Sequence, residues 1–216
     1  MIWPTLSVDN FFNDPIKVKK FALNLEYFKD TEGRWPGERT KSLEYIDKDF
    51  YLLVIKKIFS ILYPMNTSGF RWSASQYFQK ISSSYTEKGW VHQDLEFEFT
   101  AIIYLSEHEN CGTSIYMPKK FDNTIINLDK KFEAYREVNN IKDKNKFLTE
   151  NNERFDKSIT VNSKFNRLMI FDGSHYHAAE KFIENNITED RLTLITFFSD
   201  ISCDNIKYPI PQMRRI

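Results

Sequence analysis

The chain has 216 residues, with thirty basic and thirty acidic side chains, so no net field draws it to nucleic acid or to anionic lipid. With 41% hydrophobic and 28% charged residues it is globular rather than disordered, and its length suits one domain over residues 1–216. No apolar run approaches the roughly 20 residues of a membrane span, and Pro4, Asp9, Asn10 and Asp14 interrupt any secretory leader. Cys111 and Cys203 lie far apart without a disulfide framework, which points to a reduced, cytoplasmic setting. The abundance of Lys, Asn and Ile suggests an AT-rich coding source, such as a marine bacterium or a phage acting in its host's cytoplasm.

Residues 1–68 read as helical support. Asp14 followed by Pro15 is a capping carboxylate ahead of a proline at the first helical position, and Val18, Phe21, Ala22 and Leu25 recur at helical spacing behind it. The polar stretch "TEGRWPGERTKS" is a loop punctuated by Gly33, Pro36 and Gly37. A second helix is expected from about Asp47, with Phe50, Leu53, Val54, Ile58, Ile61 and Leu62 on its buried face and Pro64 as its stop.

From residue 69 to about 200 the pattern is that of strands: "FRWSASQYFQKISSSY", "TAIIYLS", "TSIYMP", "RLMIFDG", "YHAAEKF" and "RLTLITFFS". Aromatics at 16% of the chain fit a sheet-rich core. Helices first and strands after indicate an α+β, mainly β architecture, with the helices packed on an antiparallel sandwich or barrel. A charged insert at about 119–158 interrupts the strands, expected as a solvated connection with a short helix in "LDKKFEAYREV", or as a lid.

Four histidines are present: His92, His108, His175 and His177. His92 and Asp94 sit two apart before a β-rich run, and residues at i and i+2 of a strand share a face. His108 lies in the polar turn "SEHENCG" and is expected at the surface. His175 and His177 follow the apolar strand "RLMIF", and either would complete a set of two imidazoles and one carboxylate, the facial arrangement of non-haem iron(II) oxygenases. H-x-D alone has little specificity; its bland reading is a hydrogen-bonded pair on a sheet edge. Arg191 adds a second signal: it falls in a strand of otherwise buried residue types, with Thr193 on the same face. A buried guanidinium needs an anionic partner, and its planar fork suits a carboxylate.

The ordered set "HQD", "IIYLS" with "CGTSIY", "FDGSHYH" and "RLT" resembles the 2-oxoglutarate- and iron(II)-dependent oxygenases, most of all the prolyl-hydroxylase-like branch and its small phage and bacterial members. Residues from about Phe70 to Phe198 carry the likeness. It implies a double-stranded β-helix, or jelly roll, with the N-terminal helices on the major sheet. It implies iron(II) at His92, Asp94 and His177, the last because Phe171 to His177 matches the family's spacing from aromatic to distal ligand. The cosubstrate 2-oxoglutarate would lie on Arg191 and Thr193, with Tyr104 of "YLS" also reaching its far carboxylate, and O2 as co-reactant. Two departures, Cys111-Gly112-Thr113 for the usual "GGT" and Ser106 for the asparagine of "YLN", leave the metal set untouched. Asp94 implies hydroxylation rather than halogenation. The substrate is expected to be peptidyl, of the prolyl type, or a small molecule. Trp35, Arg34 and Arg39 resemble loop residues bordering such sites, and Trp90 is a further substrate-contact candidate. The competing readings are a cupin-type metal dioxygenase that does not use 2-oxoglutarate, which would leave Arg191 without a role, and a non-catalytic jelly-roll binding module.

Overall fold

The computed structural model describes residues 3–63, 68–85, 87–119, 131–132, 135, 144–185 and 187–204. The expected helix stop at Pro64 and most of "LDKKFEAYREV" lie outside these residues. Of that stretch Lys131, Phe132 and Tyr135 are described, and all three are helical.

Helix α1 (Pro15–Leu23) starts as expected: the Asp14 side chain accepts from the Lys17 N–H, and Pro15 occupies the first turn, where a missing N–H costs nothing. A one-turn helix, α2 (Leu43–Ile46), precedes α3 (Lys48–Leu62), whose first turn is capped by Asp47 accepting from the Phe50 N–H at 2.9 Å. The buried face of α3 is Tyr51, Val54, Ile55, Ile58, Phe59 and Leu62. The expected face is therefore rotated: Leu53 is exposed, because the helix settles its aromatic positions 51 and 59 against the sheet.

The strands form two antiparallel sheets. The larger runs β1 (Leu6–Val8), β8 (Leu168–Asp172), β5 (Phe99–Tyr104), β10 (Arg191–Ser202), β4 (Arg71–Ile81), β3 (Glu38–Arg39) and β2 (Phe28–Lys29). The smaller orders β7 (Phe155–Val161), β6 (Thr113–Pro118) and β9 (Tyr176–Ala179). Alternation gives the central strands of the larger sheet, β8, β5, β10 and the inner part of β4, two buried faces. One face, with Phe78, Phe99, Ala101, Ile103, Leu168, Ile170, Leu192, Leu194 and Phe198, packs under the N-terminal helices around Trp3. The other carries Tyr104, Met169 and Phe171 and meets Ile115 of the smaller sheet. The architecture is mainly β, with helices on one side and a second sheet on the other, as the strand pattern implied.

Three expectations are corrected. Residues 1–68 are not purely helical: β1, β2 and β3 are in them, and β3 adds to the sheet edge through Arg39↔Gln79. The charged insert is not a mere connection, since its end is helix α4 (Lys144–Asn152) and strand β7, which pairs with β6. Strand β7 is exposed along most of its length, so the polar residues of "DKSIT" read like a loop. His108 is buried, not at the surface. Its Nε2 meets the Glu189 carbonyl at 2.9 Å and its Nδ1 accepts from the Glu184 N–H, which satisfies a polar ring inside the protein.

Candidate metal centre

Val91–Asp94 is not a continuous strand. His92 makes an isolated antiparallel bridge with His177, through His92 N–H to His177 O at 3.0 Å and the reverse bond at 2.8 Å. Asp94 then begins a turn, donating its N–H to Gly173 O and accepting from the Phe97 N–H. The turn leaves no room beside Gly173: a Cβ there would lie 2.1 Å from the Phe97 carbonyl oxygen and 2.7 Å from that of Asp94. The bridge, rather than i,i+2 alternation, brings both imidazoles to one side.

The result is a cluster in which one donor atom from each of His92, Asp94 and His177 lies within 4.8 Å of the other two. His92 Nε2 is 3.4 Å from Asp94 Oδ1, and His177 Nε2 is 3.4 Å from Asp94 Oδ2. Donors at about 2.1 Å from one ion and at right angles to each other stand about 3.0 Å apart, so a small inward movement would suffice. His92 Nδ1 meets the Trp90 carbonyl at 2.7 Å and His177 Nδ1 meets that of His175 at 2.9 Å. Carbonyls only accept, so both Nδ1 atoms carry a proton, which leaves Nε2, on the Asp94 side, as the nitrogen each ring can offer a metal. His175 is outside the cluster and contributes its carbonyl instead.

The charge states suit a cation. Burial, then Lys131 and His177, bring the His92 pKa down to about 4 against the pull of Asp94, so the ring is neutral at pH 7. Burial alone would raise Asp94, but His177 and His92 together outweigh it and hold the carboxyl well below its ordinary value. Thr100 donates to Asp94 Oδ2 at 3.1 Å, and Phe171 stacks on His177 with centroids 4.4 Å apart.

The expected carboxylate grip lies on the inner face of the same sheet. Thr193 is the cross-strand partner of Tyr104 on one side and of Gln79 on the other, and Arg191 opens β10. Arg191 is 5% exposed and has no carboxylate in salt-bridge range among the described residues. Its Nη2 donates to the Cys111 carbonyl at 3.3 Å, and its guanidinium lies over the Tyr104 and Phe182 rings. Burial lowers its pKa. Arg191 Nε and Thr193 Oγ1 are both buried and unpartnered among the described residues. Tyr104 bonds Thr113 Oγ1 at 3.0 Å, and burial raises its pKa. Thr100 and Tyr104 stand four residues apart on one face of β5, so the two ends of the site are ~13 Å apart between Cα atoms.

Of the substrate-contact candidates, Arg39 stacks on Trp35 at 4.1 Å and donates from Nε and Nη2 to Gln79 Oε1, at 3.3 and 3.2 Å. Arg34 also lies over Trp35, at 4.9 Å, but pairs with Asp30. Trp90 is buried with Tyr135 and Leu148. Sequence reasoning missed the residues that hold position 92 in place. Tyr135 Oη accepts from the Trp90 N–H, Asn152 Oδ1 accepts from the Val91 N–H, and Asn151 and Asn152 donate to the carbonyls of Val91 and Gly89. Lys131, buried and electrostatically coupled to Asp94 and His92, was missed as well. All four are polar residues in a polar segment and carry no sequence signal of their own.

A family model described as "Family of unknown function (DUF6445)" matches residues 3–198. The chain belongs to this family. No curated protein matches the sequence. Among solved structures, the fold is similar to that of HygX from Streptomyces hygroscopicus, crystallised with nickel and 2-oxoglutarate, at 12% identity, TM-score 0.59, and 90% and 82% coverage of this chain and that one. It is likewise similar to SnoK, the non-haem α-ketoglutarate-dependent carbocyclase of nogalamycin biosynthesis, at 13% identity, TM-score 0.57, and 96% and 83% coverage. SnoN, the epimerase of the same biosynthesis, gives 12% identity, TM-score 0.54, and 96% and 89% coverage. The mainly β, antiparallel arrangement of this DUF6445 member is thus of the jelly-roll type found in 2-oxoglutarate oxygenases.

Proposed function

We propose that this protein is an iron(II)- and 2-oxoglutarate-dependent oxygenase, a single domain built on a double-stranded β-helix, that hydroxylates a small-molecule or peptidyl substrate. One observation carries the reading. A cluster of two imidazoles and an ionised aspartate lies against the inner face of the sheet that carries Arg191 and Thr193, whose Nε and Oγ1 are buried without a partner among the described residues. An unpaired buried donor costs about 1–3 kcal/mol, more for a charged group, so two side by side call for a ligand oxygen. Structures of HygX with nickel, 2-oxoglutarate and hygromycin B, and of SnoN with iron(III), α-ketoglutarate and a nogalamycin, support the cofactor pair and favour a small molecule.

In this reading His92 Nε2, Asp94 and His177 Nε2 would hold iron(II), a three-ligand set that would leave room for the cosubstrate. Iron and 2-oxoglutarate together supply the oxidation: dioxygen is consumed, succinate and carbon dioxide form, and one oxygen atom enters a C–H bond of the substrate. The chain does the rest. Arg191 and Thr193 grip the far carboxylate, Tyr104 lines it, and the Trp90 and His175 carbonyls keep both imidazoles in the metal-binding tautomer. The wall of Tyr104, Ile115, Met169 and Phe171 keeps the interior dry. Asp94 fills the position that a halide would need, which favours hydroxylation. The resemblance to the prolyl-hydroxylase-like branch rests on the motifs around Tyr104 and Gly112.

The test is anaerobic titration of the protein with iron(II) and 2-oxoglutarate, following the weak visible charge-transfer absorption of the iron-chelated keto acid. The band should form in the wild type and in His175→Ala and be lost in His177→Ala. Iron binding without the band would favour a metal dioxygenase of the cupin type, and binding of neither a non-catalytic jelly roll.

A further inference from the structure

Two cations stand near the metal cluster: Arg39 over Phe197, the cross-strand partner of the Thr100 that bonds Asp94, and Lys131 within reach of the Asp94 charge; the sequence makes Arg39 a substrate-contact candidate without saying what it would bind. Arg39 comes from β3, on the cross-strand row Arg39–Gln79–Thr193–Tyr104. Its Nε and Nη2 are taken by one neutral acceptor, Gln79 Oε1, while Nη1 has no protein acceptor among the described residues. Trp35 at 4.1 Å, Phe197 at 5.3 Å and Tyr77 at 5.9 Å surround the guanidinium, and no carboxylate of the described residues is in salt-bridge range. The nearby Asp30 is already occupied by Arg34. Lys131 is helical, 9% exposed, and has no ion pair among the described residues. Asp94, Arg39 and His92 all feel its charge. A third donor in the same group, Trp35 Nε1, is buried without a partner among the described residues.

A cation withdrawn from water without a counter-ion is costly, and half-buried Arg39 and buried Lys131 repel each other as well. Asp94 cannot offset them, because it already faces both imidazoles and would face a divalent ion. A dianionic cosubstrate engaged with the metal and Arg191 would not offset them either. We infer that Arg39 and Lys131, with Trp35 beside them, form the recognition subsite for an anionic substrate group, a carboxylate or phosphate, placing the carbon to be oxidised over the metal. The Nη1 edge of Arg39 is the free side of its fork, where a planar oxyanion would also feel the Lys131 charge. Burial, offset by Asp94 and reinforced by Arg39, lowers the Lys131 pKa to about 8, which leaves it mostly charged at neutral pH.

This assignment rests on the oxygenase reading, and the experiment separates the two. Protein loaded anaerobically with iron(II) and 2-oxoglutarate is exposed to a panel of free amino acids, hydroxy acids and sugar phosphates, each beside its amide or unphosphorylated counterpart. The readouts are the shift of the visible band on binding and the succinate formed once oxygen is admitted. At least one anion should shift the band and raise succinate, with its neutral counterpart at least about tenfold weaker; whether acids or phosphates respond identifies the group. Arg39→Gln and Lys131→Gln should each weaken that response about tenfold or more while the 2-oxoglutarate band forms at unchanged concentration, and Arg39→Lys and Lys131→Arg should restore part of it. Equal binding of the neutral counterparts, or no response to any anion, overturns the assignment. So does loss of the 2-oxoglutarate band itself in the Gln variants, which would make these residues part of the cosubstrate site. If the wild type forms no band at all, the oxygenase reading has failed and this one with it.

Discussion

Replacing Arg191 with methionine should have opposite effects on the empty and the loaded protein. In the empty protein the guanidinium is buried, has one hydrogen bond, to the Cys111 carbonyl at 3.3 Å, and leaves Nε unpartnered among the described residues. Its pKa is lowered by that burial, the direction expected of a charge whose surroundings do not repay desolvation. An apolar side chain of similar length would fill the space between Tyr104 and Phe182 without that cost. Stability should therefore stay within about 1 kcal/mol of wild type or rise by ~1–2 kcal/mol. Loaded with 2-oxoglutarate, the variant loses two charge-assisted hydrogen bonds of about 1.5–3 kcal/mol each, so affinity should fall on the order of a hundredfold or more. The assay is urea unfolding of metal-loaded protein with and without the cosubstrate. At a concentration 100 times its Kd, 2-oxoglutarate should add about 2.7 kcal/mol to the wild type and almost nothing to Arg191→Met. A variant that is as strongly stabilised by 2-oxoglutarate as the wild type would refute the grip. One that loses more than ~3 kcal/mol without ligand would show that Arg191 is structural.

Thr100→Val removes a hydroxyl donor to Asp94 while keeping shape, and should weaken metal binding about 10–100-fold in a competition titration against a chelating dye, with little change in unfolding midpoint. Asn152→Ala removes the acceptor for the Val91 N–H and the donor to the Gly89 carbonyl; it should cost about 1–3 kcal/mol in urea and also loosen the metal, because these bonds hold the segment that carries His92. In metal-free protein, His92 has a folded pKa of about 4 against an unfolded value of about 6.5. The unfolded chain therefore takes up the proton first as pH falls. The stability contribution is complete above pH 6.5 and is lost by about pH 4, a change of about 3 kcal/mol that urea titrations should detect and His92→Gln should flatten.

Much of the site is legible in the chain because its chemistry is concentrated in residue types that have few other reasons to occur where they do. His92 with Asp94, a histidine after an apolar strand, and an arginine in a strand of buried residues each point to bound charge. The resemblance to the oxygenases chose His177, and the structure brings that residue, not His175, to the cluster with His92 and Asp94. Helix starts were legible for a related reason: Asp14 with Pro15, and Asp47, satisfy local N–H groups through contacts three residues long.

What the sequence could not reveal depends on contacts made across large separations. Local alternation suggested that His92 and Asp94 share a strand, whereas the pairing of His92 with His177, 85 residues away, and a turn packed on Gly173 make the cluster. The buried face of α3 was decided by the sheet beneath it, since the helix is apolar over more than half its circumference and its own periodicity allows more than one rotation. His108 was misread because polarity predicts exposure only until distant partners such as the Glu189 carbonyl satisfy the ring, and β7 because its pairing with β6 leaves exposed polar side chains like those of a loop. The two cations beside the metal cluster are the clearest case. Arg39, a substrate-contact candidate in the sequence, comes from the second strand in from the sheet edge and Lys131 from a charged insert, 92 residues apart, and nothing along the chain says that the two lie near one centre. Patterning along the chain determined which segments would fold as helix or strand and which residues could bind charge; only the tertiary structure decided which of them meet, because burial and Coulomb forces act through space and not along the chain.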